Sequence, residues 1–389
     1  MIKTLIQSKS IEIHDEVISI REYLHQHPEL SFQEYETSKY VQSILTSWGI
    51  KFEVVCDTGI VGTISPISKT SKCIALRADL DALPITEENE VGYCSKNEGV
   101  MHACGHDVHT SILLGALKII NEHKEDLQQT VKFIFQPGEE KLPGGASLLL
   151  KENVLENPKV DEIFALHVFP ELEAGKVGLK GGMYMASCDE IYMTITGKGG
   201  HGAMPHQLVD PILTSAHIIT SLQQIISRNC SPTIPSVLSF GKIVGLGATN
   251  VIPNEVKLEG TFRTMNEEWR EKAHHLIKKQ ATFIANGFGA SIDVNISKGY
   301  PFLENDLELT AKTKHKLEHY FDSKNVVDLP LRMTGEDFAF YAQRIPATFI
   351  RVGVRNEEKN IIYPVHNSKF DIDNLALKIG IETFLSIVY

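Results

Sequence analysis

The sequence predicts an α/β chain, a domain built on a mostly parallel sheet into which a smaller, two-layer α+β domain is inserted. Three observations predict it. Short apolar runs alternate with amphipathic helical stretches through the first half, the rhythm of strands joined by crossover helices. After Gly181-Gly182 the pattern changes, and beyond Tyr300 the earlier style resumes. At 389 residues the chain is also too long for one ordinary core.

Helical periodicity over 12–27 and 34–48 precedes strand-like runs at 51–56 and 73–78. The alternation continues with a helix over 107–122, a buried strand at 130–136, a helix over 145–150 and a buried strand at 162–168. The inserted segment, 188–297, reads as strand 190–197, helix 211–227, strands 237–244 and 255–263, helix 267–286 and strand 291–297. Helices over 306–320 and 336–341, a strand at 347–352 and a terminal helix over 374–387 return the chain to the first domain.

Composition excludes several classes. Hydrophobic residues make up 42% of the chain and charged residues 22%, and no stretch reaches the roughly 18 uninterrupted apolar residues that span a bilayer. A net charge of −11, with no Lys/Arg block to offset it, opposes binding to nucleic acid or an anionic membrane. The first residues turn polar before any apolar signal core forms, and Glu12, Asp15 and Glu16 follow, so a cytoplasmic protein is expected. Cys56, Cys73, Cys94, Cys104, Cys188 and Cys230 are scattered without a C-x-x-C pair, the usage of reduced thiols.

Two segments concentrate the chemistry. In Phe133-Ile134-Phe135-Gln136-Pro137-Gly138-Glu139-Glu140 an apolar run stops at Pro-Gly and sets adjacent acids at the rim of a sheet, where open α/β folds bind their ligands. Such a pair can divide two tasks, one carboxylate binding a metal and the other moving protons. An isolated Glu pair is more often simply solvated. In Met101-His102-Ala103-Cys104-Gly105-His106-Asp107, Cys104 and His106 lie in a Gly-containing loop that opens a helix, and both are residue types that ligate transition metals. Read singly, a buried structural Cys and a helix-capping His are the commoner cases. Convergence shifts the balance, because His167 ends the apolar run before it and His366 sits in Tyr363-Pro364-Val365-His366-Asn367. Parallel strands bring all these groups to one rim. A hydrogen-bonded core histidine is the competing reading of His167.

Eight segments in order carry a resemblance over nearly the whole chain: His25-Gln26-His27-Pro28-Glu29-Leu30-Ser31, Leu76-Arg77-Ala78-Asp79-Leu80-Asp81-Ala82-Leu83-Pro84-Ile85, His102 to Asp107, Phe135 to Glu140, Gly199-Gly200-His201-Gly202-Ala203, Asn250-Val251-Ile252-Pro253, Gly260-Thr261-Phe262-Arg263 and Gly335-Glu336-Asp337-Phe338. The chain resembles the dinuclear-metal aminoacylase and carboxypeptidase superfamily, in the amidohydrolase branch of hippurate hydrolase, N-acetyl-amino-acid deacetylases and plant auxin-conjugate hydrolases.

The resemblance implies a catalytic di-metal hydrolase domain formed by 1–187 and 298–389, with 188–297 as the dimerisation (lid) domain of a homodimer. It implies Cys104 as a bridging ligand, with His106, Glu140, His167 and His366 completing sites for two divalent ions, manganese or zinc first and cobalt or nickel as alternatives. Other branches carry a ligating His where Arg77 stands; Arg77 cannot ligate, so His106 takes that place and Asp79 at most supports a ligand. Two such ions lower the pKa of a shared water, and the implied base, Glu139, takes its proton as the hydroxide attacks the amide and returns it to the leaving amine. His201, reaching in from the partner subunit, is the implied oxyanion donor. Its Gly-rich surroundings, taken alone, favour an ordinary turn. Arg263 is implied as a bidentate clamp on the substrate α-carboxylate, against a surface ion pair. Asn250 is implied to position the scissile carbonyl, against a plain turn former.

These expectations describe an enzyme that cleaves N-acyl amino acids to a carboxylate and an amino acid, with a small-molecule substrate and no nucleic-acid or membrane partner. A dipeptidase or carboxypeptidase using the same site is the alternative. A thiol hydrolase with Cys104 as nucleophile and His106 as base is a different class. A non-catalytic metal binder is a third, disfavoured by Glu139 beside Glu140, since storage needs no base.

Overall fold

The computed structural model describes residues 2–67 and 72–389 and divides the chain into two compact units. Met1–Met183, Glu304–Leu331 and Asp337–Tyr389 form the first, and Tyr184–Leu303 with Arg332–Glu336 the second. Met1 and 68–71, which the expected first domain also spans, lie outside the described residues. The insert is wider than 188–297 at both ends and includes a short return over 332–336 that no pattern change marks. Backbone bonds account for the return: Arg332 N donates to Tyr184 O at 2.8 Å and Ala186 N to Thr334 O at 3.0 Å.

In the first unit, among the described residues, eight strands form one sheet in the order Phe52–Val55, Gly59–Ile64, Thr130–Gln136, Cys73–Asp79, Glu162–Glu173, Ala347–Arg355, Val177–Leu179 and Val326–Asp328. The four from Thr130–Gln136 to Ala347–Arg355 are parallel. Cys73–Asp79 and Thr130–Gln136 are buried at every residue, which is why they read as largely apolar runs rather than as an alternation. Asp79 lies opposite Gln136 and His167 opposite Arg351, so the carboxyl ends of these strands reach one rim.

Several features depart from the pattern reading, among them the unexpected short strands Val177–Leu179 and Val326–Asp328 and the helix expected over 336–341, which is only Ala339–Ala342. Gly59–Ile64 is a strand although its glycines mask it; a Cβ on Gly62 would lie 2.3 Å from the Phe133 ring on the neighbouring strand. Glu162–Glu173 continues past His167 and through Pro170, and it carries the excess residues itself as a bulge, Phe169 pairing with Gly353 and Glu173 with Arg355. The helix expected over 12–27 spans His14–Gln26, and a further helix, Ile2–Glu12, precedes it. His106–Glu122 packs against His14–Gln26 and the apolar Leu375–Val388. No helix among the described residues is long and apolar enough to cross a membrane.

The second unit is an antiparallel sheet, Ser236–Val244, Glu255–Thr264, Asp189–Thr196 and Ser291–Lys298, with the helices Pro211–Gln224 and Glu267–Gly287. Ile191, Met193 and Ile195 alternate inward, and Trp269, Ala273, Ile277, Ala281 and Ala285 meet the same core at every fourth position of their helix. Asp210 and Asn266 cap the two helices through first-turn amides. Asp189 ties sheet to helix: it accepts from Arg270 Nη2 at 2.5 Å and Nε at 2.9 Å, from His274 at 2.7 Å and from Gly299 N at 3.1 Å.

Burial opposes ionisation of Asp189, but Arg270 and His274 outweigh it and hold the carboxyl below the usual range. Its stabilisation is therefore complete above the unfolded pKa of about 4 and is lost as pH falls through the lower folded value. Asp189→Asn should cost about 3 kcal/mol at pH 7, the lower end for a broken buried pair because Glu267 still contacts Arg270. Denaturant melts of both proteins from pH 7 to 3 check this. The gap should narrow below about pH 4, and equal stability at pH 7 would remove the proposed tie.

Candidate metal centre

Cys104 and His106 flank the start of the helix His106–Glu122, and the residue between them fixes their geometry. Gly105 has φ +80°, and a Cβ there would lie 2.6 Å from Val168 Cγ2, so a larger residue would be strained and would collide with the strand that carries His167. His366 comes from a distant loop. Its backbone N donates to Ala103 O at 2.7 Å, and it holds φ +62°, a conformation uncommon for a non-glycine residue and frequent at functional sites. Glu139 and Glu140 follow Thr130–Gln136 at the rim.

The six first-unit residues expected at the centre are brought together. Cys104 Sγ lies 3.4 Å from His167 Nε2 and 3.3 Å from His366 Nε2, and His366 Nε2 lies 3.1 Å from Glu140 Oε1. Cys104, His106 and His167 form one compact triad of donor atoms, Cys104, Glu140 and His366 another, and His106, Glu139 and Glu140 a third. Cys104, His106 and Glu140 each belong to two of them. His106 Nε2 and Glu140 Oε1 are buried yet make no aligned hydrogen bond. Unsatisfied buried donors and acceptors facing one another are costly in a purely structural cluster and suit a cation.

Surrounding groups orient the imidazoles. His106 Nδ1 donates to Asp81 Oδ1 at 3.1 Å and His167 Nδ1 to Val168 O at 2.8 Å, which turns each Nε2 inward. Burial and the nearby Arg351 charge hold His167 well below the usual imidazole range, so it is neutral with a lone pair to offer. Burial alone would lower His106 too, but Asp79, Asp81 and Glu140 push it up to about 10. Burial, then Glu140 and Glu139, push the Cys104 thiol well up. The imidazoles within hydrogen-bonding distance of Cys104 Sγ are those of His167 and His366, not His106, which does not favour the pairing of Cys104 with His106 as nucleophile and base.

A second acidic-imidazole group, Asp79, His106 and His109, does not suit a cation. Asp79 accepts from Arg77 Nη1 at 2.6 Å and from His109 Nδ1 at 2.6 Å, while His109 Nε2 accepts from Val168 N at 2.9 Å, so both His109 nitrogens are engaged. Arg77 also donates to Asp337 at 2.7 Å and Gln136 at 3.0 Å. Asp337 N in turn donates to Glu139 Oε1 at 3.3 Å. Asp81, His109 and Asp337 were not singled out from the sequence as site residues. Asp81 had a signal, a second acid two residues beyond Asp79 at a strand end, whereas Asp337 reaches the site from 198 residues away.

Arg263, His201 and Asn250 belong to the second unit. A two-stranded ribbon pairs Gly200–His201 with Val251–Ile252, and Gly202 N donates to Asn250 O at 2.8 Å, which puts His201 and Asn250 on adjoining turns. Both are exposed. His201 Nδ1 accepts from Ala203 N at 3.1 Å, leaving its Nε2 as the outward donor. Arg263 is half-buried and donates to Cys188 Sγ.

The family model for peptidase family M20/M25/M40 matches residues 75–389. An N-acyl-L-amino acid amidohydrolase of Geobacillus stearothermophilus is 40% identical over 77% of this chain and 80% of its own length. Thermostable carboxypeptidase 1 of Saccharolobus solfataricus is 36% identical over 95% and 93%. A Bacillus subtilis crystal structure described as a dinuclear metal-binding peptidase of the M20 family superposes with a TM-score of 0.83 at 33% identity, covering 97% of this chain and 98% of that one. With the match extending over both units and every donor of the first-unit centre inside the matched residues, this chain is a hydrolase that belongs to peptidase family M20/M25/M40.

Proposed function

We propose that the protein is a homodimeric amidohydrolase that cleaves N-acyl, for example N-acetyl, amino acids, with Cys104, His106, Glu140, His167 and His366 holding two divalent ions. The observation that carries this reading is the inward convergence of Cys104 Sγ, the imidazole Nε2 atoms and Glu140 beside a second acid, Glu139. When bound, two divalent ions lower the pKa of a water and polarise the amide carbonyl. Glu139 accepts the proton of that water and delivers it to the leaving nitrogen; the Asp337 N–H on its Oε1 holds the carboxylate in place. His201 Nε2–H donates to the oxygen that gains charge, Asn250 positions the carbonyl and Arg263 binds the α-carboxylate. Manganese or zinc suits the mixed N, O and S donors, with cobalt or nickel as alternatives.

Ser236–Val244 is an edge strand of the second-unit sheet, and Ile243, Leu246, Ile212 and Leu213 are exposed on that unit, which supports it as the dimer surface. Six cysteines without a disulfide support a cytoplasmic setting.

A panel of N-acetyl amino acids and dipeptides, assayed with manganese or zinc and again after chelation, tests the reading. Turnover of N-acetyl amino acids that chelation abolishes and metal restores is expected; preference for dipeptides would favour the peptidase alternative. Arg263→Ala should weaken substrates bearing an α-carboxylate by about 2–4 kcal/mol in kcat/KM and leave amidated substrates nearly unchanged. Equal losses in both classes would give Arg263 a structural role.

A further inference from the structure

We propose that Glu34 is a positioning residue, its carboxylate oxygen bracing the Pro137-Gly138 turn that carries Glu139 and Glu140 and acting there as a hydrogen-bond acceptor rather than as a charge. The proposal rests on the reading of Glu139 as the general base.

Glu34 precedes the helix Tyr35–Ser47, at the position where an acidic side chain ordinarily accepts from first-turn amides. It makes no such bond. Glu29 does that work, accepting from Glu36 N at 3.2 Å and from Thr37 N at 2.8 Å. Glu34 instead turns inward and is 0% exposed. Its Oε1 accepts from Phe32 N and from Gly138 N, each at 2.8 Å, and its Oε2 accepts from Thr58 Oγ1 at 2.9 Å.

The two residues joined through that oxygen are both left-handed, Phe32 at φ +65° and Gly138 at φ +58°. They also pack face to face: a Cβ on Gly138 would lie 2.2 Å from the Phe32 ring. The turn is held at successive points, Gly138 N by Glu34, Gly138 O by Gly145 N at 3.0 Å, and Glu140 N by Asp81 Oδ2 at 2.9 Å. Glu139 sits between the outer two amides. Loss of the Glu34 oxygen would leave the Gly138 and Phe32 N–H groups without this acceptor in a buried site and loosen the segment that aims Glu139.

The geometry distinguishes shape from charge. A glutamine at 34 keeps one oxygen for both N–H groups and presents its NH2 to Thr58, whose hydroxyl can accept. Burial, then the charge of Asp81, push the Glu34 carboxyl up to about 6, so a neutral group in this place is not foreign to it. Glu34→Asp keeps the charge but withdraws the oxygens by one methylene.

The test compares wild type, Glu34→Gln, Glu34→Ala and Glu34→Asp, each loaded with manganese. Three readouts are taken: bound metal, amide hydrogen exchange of the peptide containing Gly138, and kcat and KM for the N-acetyl amino acid that wild type turns over fastest. Glu34→Ala and Glu34→Asp should exchange at Gly138 about tenfold faster or more and lose about 10- to 100-fold in kcat, with KM and metal content little changed. Glu34→Gln should match wild type in all three. If Glu34→Ala fails to fold, Glu34→Asp carries the comparison. Unchanged exchange or unchanged kcat in the shortened variants, or a Glu34→Gln as impaired as they are, overturns the proposal. Retained turnover in Glu139→Gln would instead reject the base assignment, and exchange at Gly138 reports on the brace independently of it.

Discussion

Glu139→Gln should keep its metal and lose turnover by about 10²–10⁴, the loss typical of a missing general base. Glu140→Gln should lose metal first. The two side chains are adjacent, yet their surroundings separate them. Glu140 Oε1 faces His366 Nε2 at 3.1 Å and shares a donor triad with Cys104, whereas Glu139 Oε1 takes a backbone N–H from Asp337 at 3.3 Å. Glutamine at 139 keeps an oxygen for that N–H and the volume of the acid, so the turn should persist while the proton acceptor is gone. Under the proposed assignment, glutamine at 140 replaces a charged ligand with a neutral one. Elemental analysis with kcat for both variants reads the difference, and equal metal loss in the two would remove the division of labour.

Mixing inactive Glu139→Gln chains with inactive His201→Ala chains should restore activity. His201 projects its Nε2 from an exposed ribbon of the second unit, and its proposed target is the site of the partner subunit. In a mixed dimer, the site on the chain that retains Glu139 then receives an intact His201, while the other site lacks both. Random exchange makes about half the dimers mixed, so about a quarter of all sites should recover under two-fold symmetry. Confirmed exchange without recovery would reject the shared site and leave the first-unit metal assignment standing.

The sequence announces what is local and conceals what is assembled from afar. Thr130–Gln136 is legible because both faces are covered and Phe133, Ile134 and Phe135 run together just before the Pro137-Gly138 stop. The helix at His106 is legible from the loop glycine that starts it. Gly59–Ile64 is hidden because Phe133 requires a glycine beside it, and the reach of Glu162–Glu173 is hidden because Pro170 reads as a stop although the strand resumes pairing beyond it, at Glu173. At the centre, Cys104, His106, Glu139, Glu140, His167 and His366 are chemically conspicuous residues at strand ends and in loops. The groups that aim them are not: Asp337 holds Gln136, Arg77 and Glu139 across the fold, and Glu34 looks like a helix cap until Glu29 is seen in that role.

Anomalous diffraction from crystals loaded with manganese or zinc most directly tests the claim that these donors form a two-ion centre. Two anomalous peaks per chain are expected, both at a ligand distance of about 2.0–2.6 Å from Cys104 Sγ, with His106 and His167 on one side and Glu140 and His366 on the other. A single ion, or ions bound by Asp79 and His109 with Cys104 unliganded, would contradict it.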